Sequence, residues 1–345
     1  MTSPLEAVIL DVGHGNCTVL RDGPNCAVID APKDESGYEG RALYGELARS
    51  KVTHIEHIVV SHSDADHMAG VCELISDQRF TFGTLWFNPD GMKNTREFQD
   101  LRRQARLAHD EKRIRVPLAI NTGTSDALSF GRVGIDVLHP DIEWAGSGPA
   151  NYRGASGRLT TNTMSIVLRV SLAGLPAVLL MADIDSLAVD RMISLGVDIS
   201  APVLVFPHHG GKCGGDEFEF AKLLMQQVQP RQVVFSISDG GRFSNPNPQI
   251  MAGVRTGAPD AHISCTRLSK HCHLADSDVS SDHLSDRSKA ARINGRRCAG
   301  SISVRYADTG LIVDPDPSAH RAFITNTLAH PICLPQAVVP QPRSG

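Results

Sequence analysis

Short apolar segments that end in glycine, aspartate or histidine recur along the chain, and this pattern restricts the folds open to it. They include EAVILDVG, CTVLRDG, CAVIDAP and IEHIVVSH in the first half, and VGIDVLHP, PAVLLMADI, APVLVFPHH and RQVVFSIS in the second. Apolar runs of this length between turn residues are typical of β-strands. Helices are predicted near residues 40–50, 93–113, 186–195 and 218–227, the second of them basic and interpreted as solvated surface. The alternation predicts an α/β layer fold.

The composition is that of a globular protein that can bury a large core. The 345 residues are 41% hydrophobic and 21% charged, and the formal net charge of −4 gives no general attraction for nucleic acid. The sequence shows neither a signal peptide nor an apolar run long enough for a membrane span, so a cytoplasmic protein without membrane association is expected. One domain is predicted over residues 1–313, with a polar insert at 266–297 that is expected to be a long loop. The tail, residues 314–345, is expected to be extended or weakly ordered.

The segment VVSHSDADHMAG places four metal-ligand side chains within six residues, directly after a predicted strand: His62, Asp64, Asp66 and His67. Imidazoles and carboxylates are ligands of Zn2+ and Mn2+, and a compact loop can direct several of them at one ion. The helix that follows would bring its N-terminus to the same pocket and favour an anion there. The alternative is a solvated loop in which Asp66 caps the helix. The dense HxDxDH spacing favours the metal site.

This segment is similar to the HxHxDH signature of the metallo-β-lactamase superfamily, with Asp64 in place of the second histidine. The HxDxDH form resembles the hydrolase domain of the DNA-uptake protein ComEC and its free-standing relatives. ILDVGHGNCTVL, AVIDAP, NTMSIVLRV, VLLMADID and VLVFPHHGG match further motifs of the family in the same order, so the resemblance extends over about Leu5–Val304. It implies an αββα metallo-β-lactamase-like sandwich, in which two mixed β-sheets are flanked by helices and a metal site lies at one edge.

Three further ligand candidates follow strands in the second half of the chain. Asp183, after AVLLMA, is a turn or cap residue by its position, or, as the resemblance implies, a carboxylate that can bridge two metal ions. His208 and His209 follow VLVF and precede a glycine-rich loop. His208 is preferred as the ligand, whereas His209 is expected to orient it, contact the substrate or donate a proton to a leaving group.

Other polar residues at strand ends are expected to line the pocket or to support the ligands: Asp11, His14, Asp30, His139 and Asn162. The resemblance implies that Asp11 hydrogen-bonds a ligand histidine. His139 is either a reserve ligand or a turn residue before proline. Asp64 and Asn162 stand where other members have histidines, which implies that one of two metal sites is oxygen-rich or weak. Mn2+ therefore competes with Zn2+ for the site.

Three cysteines with two histidines beside them surround the polar insert. Cys265, Cys272 and Cys298, with His271 or His273, match the ligand types of a Cys3His zinc site, for which we select His273 as the fourth ligand. Four protein ligands leave no open coordination position, so such a site would be structural. The alternative is a set of free cysteines and exposed histidines, because the spacing is not a paired CxxC form.

These features predict an enzyme, namely a metal-dependent hydrolase with one or two divalent ions, Zn2+ or Mn2+. The resemblance implies a phosphodiesterase or nuclease that acts on a phosphodiester or nucleic-acid substrate, and protein partners are left open. Asp66, which would help to orient the attacking water, and His209 are the catalytic candidates. Two alternatives remain: an ester, thioester or lactam hydrolase, and a non-catalytic binding or regulatory module on the same fold. The complete set of ligand candidates argues against the second alternative.

Overall fold

Two β-sheets that face each other form the centre of the molecule. The structure is a computed structural model and describes residues 4–33, 42–117, 119–149, 153–154, 157–238, 244–272, 281–290 and 297–334. Within these ranges the apolar segments identified in the sequence form strands, and helices cover the outer face of each sheet. The predicted αββα sandwich of two mixed β-sheets flanked by helices is confirmed.

The described residues contain fifteen β-strands, which are β1 (Leu5–Ile9), β2 (Thr18–Asp22), β3 (Asn25–Ile29), β4 (His54–Val59), β5 (Thr81–Trp86), β6 (Val133–His139), β7 (Arg153–Gly154), β8 (Gly157–Arg158), β9 (Val167–Leu172), β10 (Leu175–Leu180), β11 (Val203–Val205), β12 (Gln232–Phe235), β13 (His262–Cys265), β14 (Ile302–Ala307) and β15 (Gly310–Asp314). The first sheet has the order β15-β14-β1-β2-β3-β4-β5, in which only the β3–β4 and β4–β5 pairs are parallel. The second has the order β13-β12-β11-β10-β9-β6, in which β10 to β13 are parallel and β9 pairs antiparallel with β10 and β6. Strands β7 and β8 form a separate hairpin.

The α-helices in the described ranges are α1 (Ala42–Arg49), α2 (Ala65–Met68), α3 (Val71–Ser76), α4 (Arg96–Asp110), α5 (Ile142–Ser147), α6 (Ser186–Ser194), α7 (Glu217–Val228), α8 (Pro248–Gly257), α9 (Asp286–Ala290) and α10 (Pro317–Thr327). Helices α4, α6 and α7 begin after Thr95, Asp185 and Asp216, whose side chains each accept a hydrogen bond from a backbone N–H of the first turn. None of the described helices combines the length and the apolar character needed to cross a lipid bilayer.

Side chains of the strands alternate between the space between the sheets and the outer helices, as the twofold periodicity of a strand requires. Ala7 and Ile9 of β1 pack into the cluster between the sheets, together with Leu168 and Val178 of the second sheet. Val8 points in the opposite direction and packs into the cluster formed with α1, α3 and α4. Both faces of the first sheet are therefore buried, which leaves its strand ends as the place for exposed polar groups.

Two segments that are expected to lack regular structure contain helices. In the tail, α10 buries Phe323 and Ile324 against the helices and strands of the second sheet. In the polar insert, α9 follows His283 and Leu284, which are both buried. The expectations of an extended tail and of a long loop are therefore wrong for these parts. A few apolar side chains at helical spacing within a polar segment are enough to bury one face of a short helix.

Candidate metal centre

The HSDADH segment lies where β4 of the first sheet ends. Strand β4 is buried at its C-terminal end, and the chain continues through the single helical turn α2, so that His62 and His67 point inward and are buried. Asp64 and Asp66 remain partly exposed, with 28% and 22% of their side-chain surface accessible. Asp66, the residue considered as a helix cap, lies inside α2, and Asp64, which stands at the N-cap position, makes no capping hydrogen bond with its side chain. The capping alternative therefore does not account for this segment.

The second sheet brings the remaining candidates to the same place. Asp183 follows β10 by three residues, and His208 and His209 follow the neighbouring parallel strand β11. Nε2 of His209 lies 3.6 Å from Oδ1 of Asp183, and Nε2 of His208 lies 3.9 Å from Oδ2 of the same carboxylate. Because parallel strands end at the same edge of a sheet, the spacing of these residues in the sequence gives one shared site.

Backbone strain accompanies these strand ends. Asp30, Ala182, His208 and His209 have positive φ values of 59°, 46°, 52° and 55°. Left-handed backbone is unfavourable for residues that carry a Cβ, and it persists where the surrounding structure enforces it, often at functional sites. The two successive left-handed residues turn both imidazoles toward Asp183.

Four side chains form a compact group of potential metal ligands: Asp66, His67, Asp183 and His209. One ligand atom from each lies within 4.8 Å of all the others. Nε2 of His67, Nε2 of His209 and Oδ1 of Asp183 are buried and have no hydrogen-bonding partner of acceptable geometry among the described residues. Buried polar atoms normally have a hydrogen-bonding partner. Three such atoms without one at the same place indicate a binding site for a further group. Two imidazole nitrogens and two carboxylates fit a divalent cation such as Zn2+ or Mn2+.

Hydrogen bonds on the far side of each imidazole fix its orientation. Nδ1–H of His67 donates to Oδ2 of Asp30 at 2.7 Å, and Asp30 in turn accepts from the backbone N–H and the hydroxyl of Ser61 at 2.7 and 2.8 Å. Nδ1–H of His209 donates to the carbonyl of Ser236 at 2.8 Å. Each bond places the proton on Nδ1 and leaves the Nε2 lone pair for a metal ion. Asp30, expected only to line the pocket, thus orients a ligand.

The charges of the group are balanced within it. Burial lowers the pKa of His67 and His209, but the carboxylate of Asp183 outweighs this effect, helped by Asp30 for His67 and by Asp66 for His209, and both pKa values are raised. Burial raises the pKa of Asp183, yet the two imidazoles hold it well below its usual range. The carboxylates therefore favour the protonated form of both imidazoles when no metal ion is bound. A bound cation would replace these protons, since metal ligands must be deprotonated.

Asp66 is the partly exposed member of the group. Its Oδ2 lies 3.2 Å from Nε2 of His14 and 3.4 Å from Nε2 of His209. Burial raises its pKa, but the nearby imidazoles of His14 and then His209 hold that pKa well below its usual range. A carboxylate that stays ionised at the mouth of the site can accept a hydrogen bond from water. His14, expected to line the pocket, lies in contact with a ligand.

A second set of ligand atoms lies on the other side of Asp183. Nε2 of His62 and Nε2 of His208 are each 3.9 Å from Oδ2 of Asp183, and Nε2 of His62 is 3.6 Å from Oδ2 of Asp64. Burial lowers the pKa of His62 to about 4, which keeps it neutral. The preference for His208 over His209 is not supported by the geometry, because His209 belongs to the compact group and His208 does not. His208 faces this second half of the centre.

Lys93 occupies this second half and was not identified from the sequence. Its ammonium group forms an ion pair with Oδ1 of Asp64. The loop that carries Lys93 is fixed by the buried Asp90, whose Oδ1 accepts from the backbone N–H of Met92 and of Lys93 at 2.9 and 3.1 Å. Oδ2 of Asp90 accepts from the hydroxyls of Ser63 and Thr161 at 2.6 and 2.7 Å. A cation of the chain thus stands where a second metal ion would need a ligand.

We expect the wild-type chain to bind one Mn2+ ion tightly and the Lys93→Met variant to bind a second. Removal of the ammonium group frees the Asp64 carboxylate, so that His62, Asp64 and Asp183 can act together as ligands. Isothermal titration with Mn2+ measures the stoichiometry directly, and the Lys222→Met variant, at a partly exposed position of α7, is the matched control. Two ions in the wild type, or one ion in both proteins, would contradict the assigned role of Lys93.

Three of the expected pocket residues have other surroundings. Asp11 does not reach a ligand histidine, because its carboxylate pairs with Arg267 at 2.7 Å and with Arg297 at 3.5 Å, and this corrects the expectation for it. His139 is buried, and its Nε2–H donates to the carbonyl of Thr163 at 2.8 Å, so it acts as a structural residue. Asn162 lies in the loop before β9, and its backbone carbonyl accepts a hydrogen bond from the backbone N–H of Ser165 at 2.9 Å.

The structure brings the three cysteines around the insert to the same region, close to the C-terminal helix α10. Cys265 and Cys298 are buried, and Cys272 is half-buried. His273, the selected fourth ligand, lies outside the described residues. His271 uses its Nε2–H to bond the carbonyl of Ser244 at 3.1 Å.

Comparison of the sequence with protein-family models and with curated proteins gave no match. Solved structures that match include YhfI, a metallo-β-lactamase fold protein from Bacillus subtilis, with 13% identity, a TM-score of 0.46, and coverage of 76% of this chain and 96% of that one. Igni18, described as a metallo hydrolase from the archaeon Ignicoccus hospitalis, matches with 15% identity, a TM-score of 0.42, and coverage of 75% and 94%. Zn2+-bound PqqB from Methylobacterium extorquens matches with 12% identity, a TM-score of 0.40, and coverage of 71% and 92%. At these identities and TM-scores, the chemistry of the site has to be inferred from its own residues.

Proposed function

We propose that this chain is a metal-dependent hydrolase that cleaves phosphodiester bonds. The observation that carries the proposal is the convergence of Asp66, His67, Asp183 and His209, with three buried ligand atoms that have no hydrogen-bonding partner among the described residues. These residues would hold one divalent ion, Zn2+ or Mn2+. Such an ion supplies Lewis acidity, which favours deprotonation of water near neutral pH and stabilises negative charge on the attacked phosphoryl group.

The residues at the mouth of the site support hydrolysis of an anionic substrate. Asp66 is ionised and partly exposed, so it can accept a hydrogen bond from a water molecule and orient it for attack. Lys93 and His208 lie beside Asp64 and Asp183 on the same side of the centre. An ammonium group next to a divalent metal ion provides two cationic groups for the negatively charged non-bridging oxygens of a phosphodiester, whereas the ester or lactam bond itself carries no negative charge before attack.

His209 was a catalytic candidate, and its surroundings give it a different part in this proposal. Both of its ring nitrogens are committed, Nδ1 to the carbonyl of Ser236 and Nε2 to the ligand group. A proton donor to the leaving group has to be free to exchange with solvent, and His209 is buried. His208, with 32% of its side chain exposed, is the better placed imidazole for contact with substrate.

The test is a metal-dependent assay with purified full-length protein on a panel of substrates. We expect the protein reconstituted with Zn2+ or Mn2+ to hydrolyse bis-p-nitrophenyl phosphate and single- or double-stranded DNA or RNA, and chelation to abolish turnover until metal is restored. The Asp66→Asn variant should lose at least ~10²-fold in rate. Asp260→Asn, an exposed carboxylate before β13 at the opposite end of the second sheet, should retain the wild-type rate.

The same panel includes a thioester and a β-lactam. Metal-replete protein that leaves every phosphodiester intact but hydrolyses one of these two would overturn the phosphodiesterase proposal and keep the hydrolase. A protein that binds no metal ion after reconstitution would contradict both the phosphodiesterase proposal and the broader proposal of a metal-dependent hydrolase.

A further inference from the structure

A cluster of cysteines lies on the second sheet, apart from the metal centre. Cys265 ends β13, and Cys272 and Cys298 lie at the two ends of the polar insert, as the sequence indicates. The structure adds Cys333, which follows α10 and packs with Cys272 against the same apolar cluster that contains Cys265 and Cys298. Four separate segments of the chain thus bring thiols to one region.

Direct contacts join these cysteines in pairs. The thiol of Cys265 hydrogen-bonds the sulfur of Cys298, and the backbone N–H of Cys265 donates to that sulfur too. The sulfur of Cys272 accepts from the backbone N–H of Ile332, directly beside Cys333. Cys272 and Cys333 are also close enough to Cys265 to act electrostatically on its thiol.

The segment that carries Cys333 is held in place from outside the cluster. The guanidinium of Arg255 in α8 donates to the carbonyls of Ile332 and Leu334 at 3.0 and 2.6 Å. The ring of Phe323 in α10 stacks on that of His283 in the insert, with 3.6 Å between centroids. The insert and the tail therefore meet at the cysteines.

An imidazole supports one of the sulfurs. Nε2 of His320 lies 3.2 Å from the sulfur of Cys298, and its Nδ1 lies 2.9 Å from Nε2 of His262. Burial lowers the pKa of His262 to about 4, so His262 is neutral and can donate its Nε2–H to His320. His320 then carries its proton on Nε2 and directs it at the sulfur. This arrangement stabilises a thiolate and matches the hydrogen bonds that orient metal ligands.

Buried free cysteines usually only fill space in an apolar core. The sulfur of Cys298 instead receives three polar contacts, from the thiol and the backbone N–H of Cys265 and from the imidazole of His320. Contacts of this kind accompany side chains that act as metal ligands. Four thiols are the donor set that selects zinc for a closed tetrahedral site.

We infer that Cys265, Cys272, Cys298 and Cys333 bind one zinc ion that fastens the C-terminal segment and the insert to the second sheet. No three of the four sulfurs lie within 4.8 Å of one another, as the ligand atoms of the metal centre do. Zinc binding therefore requires rotation of these side chains until each sulfur is about 2.3 Å from the ion. His320 is a positioning residue that donates to Cys298. The ligand set thus replaces His273 of the sequence interpretation with Cys333.

The experiment uses the full-length wild-type protein, prepared under reducing conditions and loaded with Co2+. Thiolate ligands give Co2+ a charge-transfer absorption in the near ultraviolet, which the nitrogen and oxygen ligands of the metal centre do not give. We expect this band to saturate when about one Co2+ per chain is bound through sulfur, while a second Co2+ can occupy the metal centre without adding to the band, and we expect the band to disappear on displacement by Zn2+. Cys333→Ser should weaken the band, whereas Cys72→Ser, a half-buried cysteine in α3, should leave it unchanged.

Three results would overturn the inference. The first is the absence of the band in the folded wild type, which needs no variant. The second is a disulfide among these cysteines, seen as fewer than eight reactive thiols when the unreduced protein is denatured and titrated. The third is loss of the band in His320→Gln together with its full retention in Cys333→Ser, which would make the imidazole a ligand in place of Cys333.

Discussion

Replacement of Asp183 by asparagine is expected to abolish tight metal binding at the centre and, with it, hydrolysis. Oδ1 of Asp183 faces His67 and His209 at 3.2 and 3.6 Å, and Oδ2 faces His62 and His208 at 3.9 Å each. An amide removes the negative charge that both sets of ligands share. The affinity for Mn2+ should fall by more than the ~10–100-fold typical of residues that only orient a ligand.

The measurement is isothermal titration with Mn2+, a cation that thiolates do not select, combined with the rate on a phosphodiester. Asp185→Asn is the matched control two residues away. Asp185 caps α6 through one carboxylate oxygen, and asparagine caps a helix as well as aspartate does. Circular dichroism and the melting temperature establish that both variants fold. Unchanged Mn2+ affinity in a folded Asp183→Asn protein would exclude Asp183 as a ligand.

Replacement of Arg287 by methionine is expected to lower the free energy of unfolding by about 3–5 kcal/mol, the cost of breaking a buried ion pair. Arg287 in α9 donates to both carboxylate oxygens of Glu6 at 2.9 and 2.8 Å and to Oε2 of Glu46 at 3.0 Å. Glu6 in β1 and Glu46 in α1 are buried, and Arg21 is the other basic partner of Glu6. Methionine fills much of the same volume but leaves the carboxylates short of positive charge.

Urea denaturation followed by fluorescence or circular dichroism measures this loss, with the slope of the transition compared between proteins. Arg102→Met makes the same chemical change on the exposed side of α4 and should shift the stability by less than about 0.5 kcal/mol. A loss below about 1 kcal/mol for Arg287→Met would place this pair with ordinary surface ion pairs and contradict its structural role.

The ligands of the metal centre could be predicted because each belongs to a short motif that is visible in the local sequence. Asp183 and His209 follow the ends of β10 and β11 by three and four residues, and these parallel neighbours end at the same edge; His67 follows β4 through the dense HSDADH segment. The choice between His208 and His209 could not be made this way. It depends on two successive left-handed residues, whose effect on side-chain direction is set by the tertiary structure.

Contacts between distant segments account for what the sequence interpretation missed. Lys93 reaches Asp64 from a loop ordered by Asp90, and in the sequence it is one of many basic residues near a helix. Asp11 was assigned to a ligand histidine, but Arg267 and Arg297 from the insert compensate its charge instead. No local periodicity or spacing encodes such pairs, since each depends on how the two sheets and the insert come together.

The origin of the ligands in both sheets has a consequence for the order of events during synthesis. Asp66 and His67 emerge early, after β4, whereas Asp183 and His209 follow β10 and β11 and emerge much later. A nascent chain that ends before β10 has only part of the coordination shell, and its affinity for a divalent ion should be weak. Tight binding of the ion therefore becomes possible only when both sheets have formed. Because the ion binds the complete fold and not the incomplete chain, it then stabilises the complete fold.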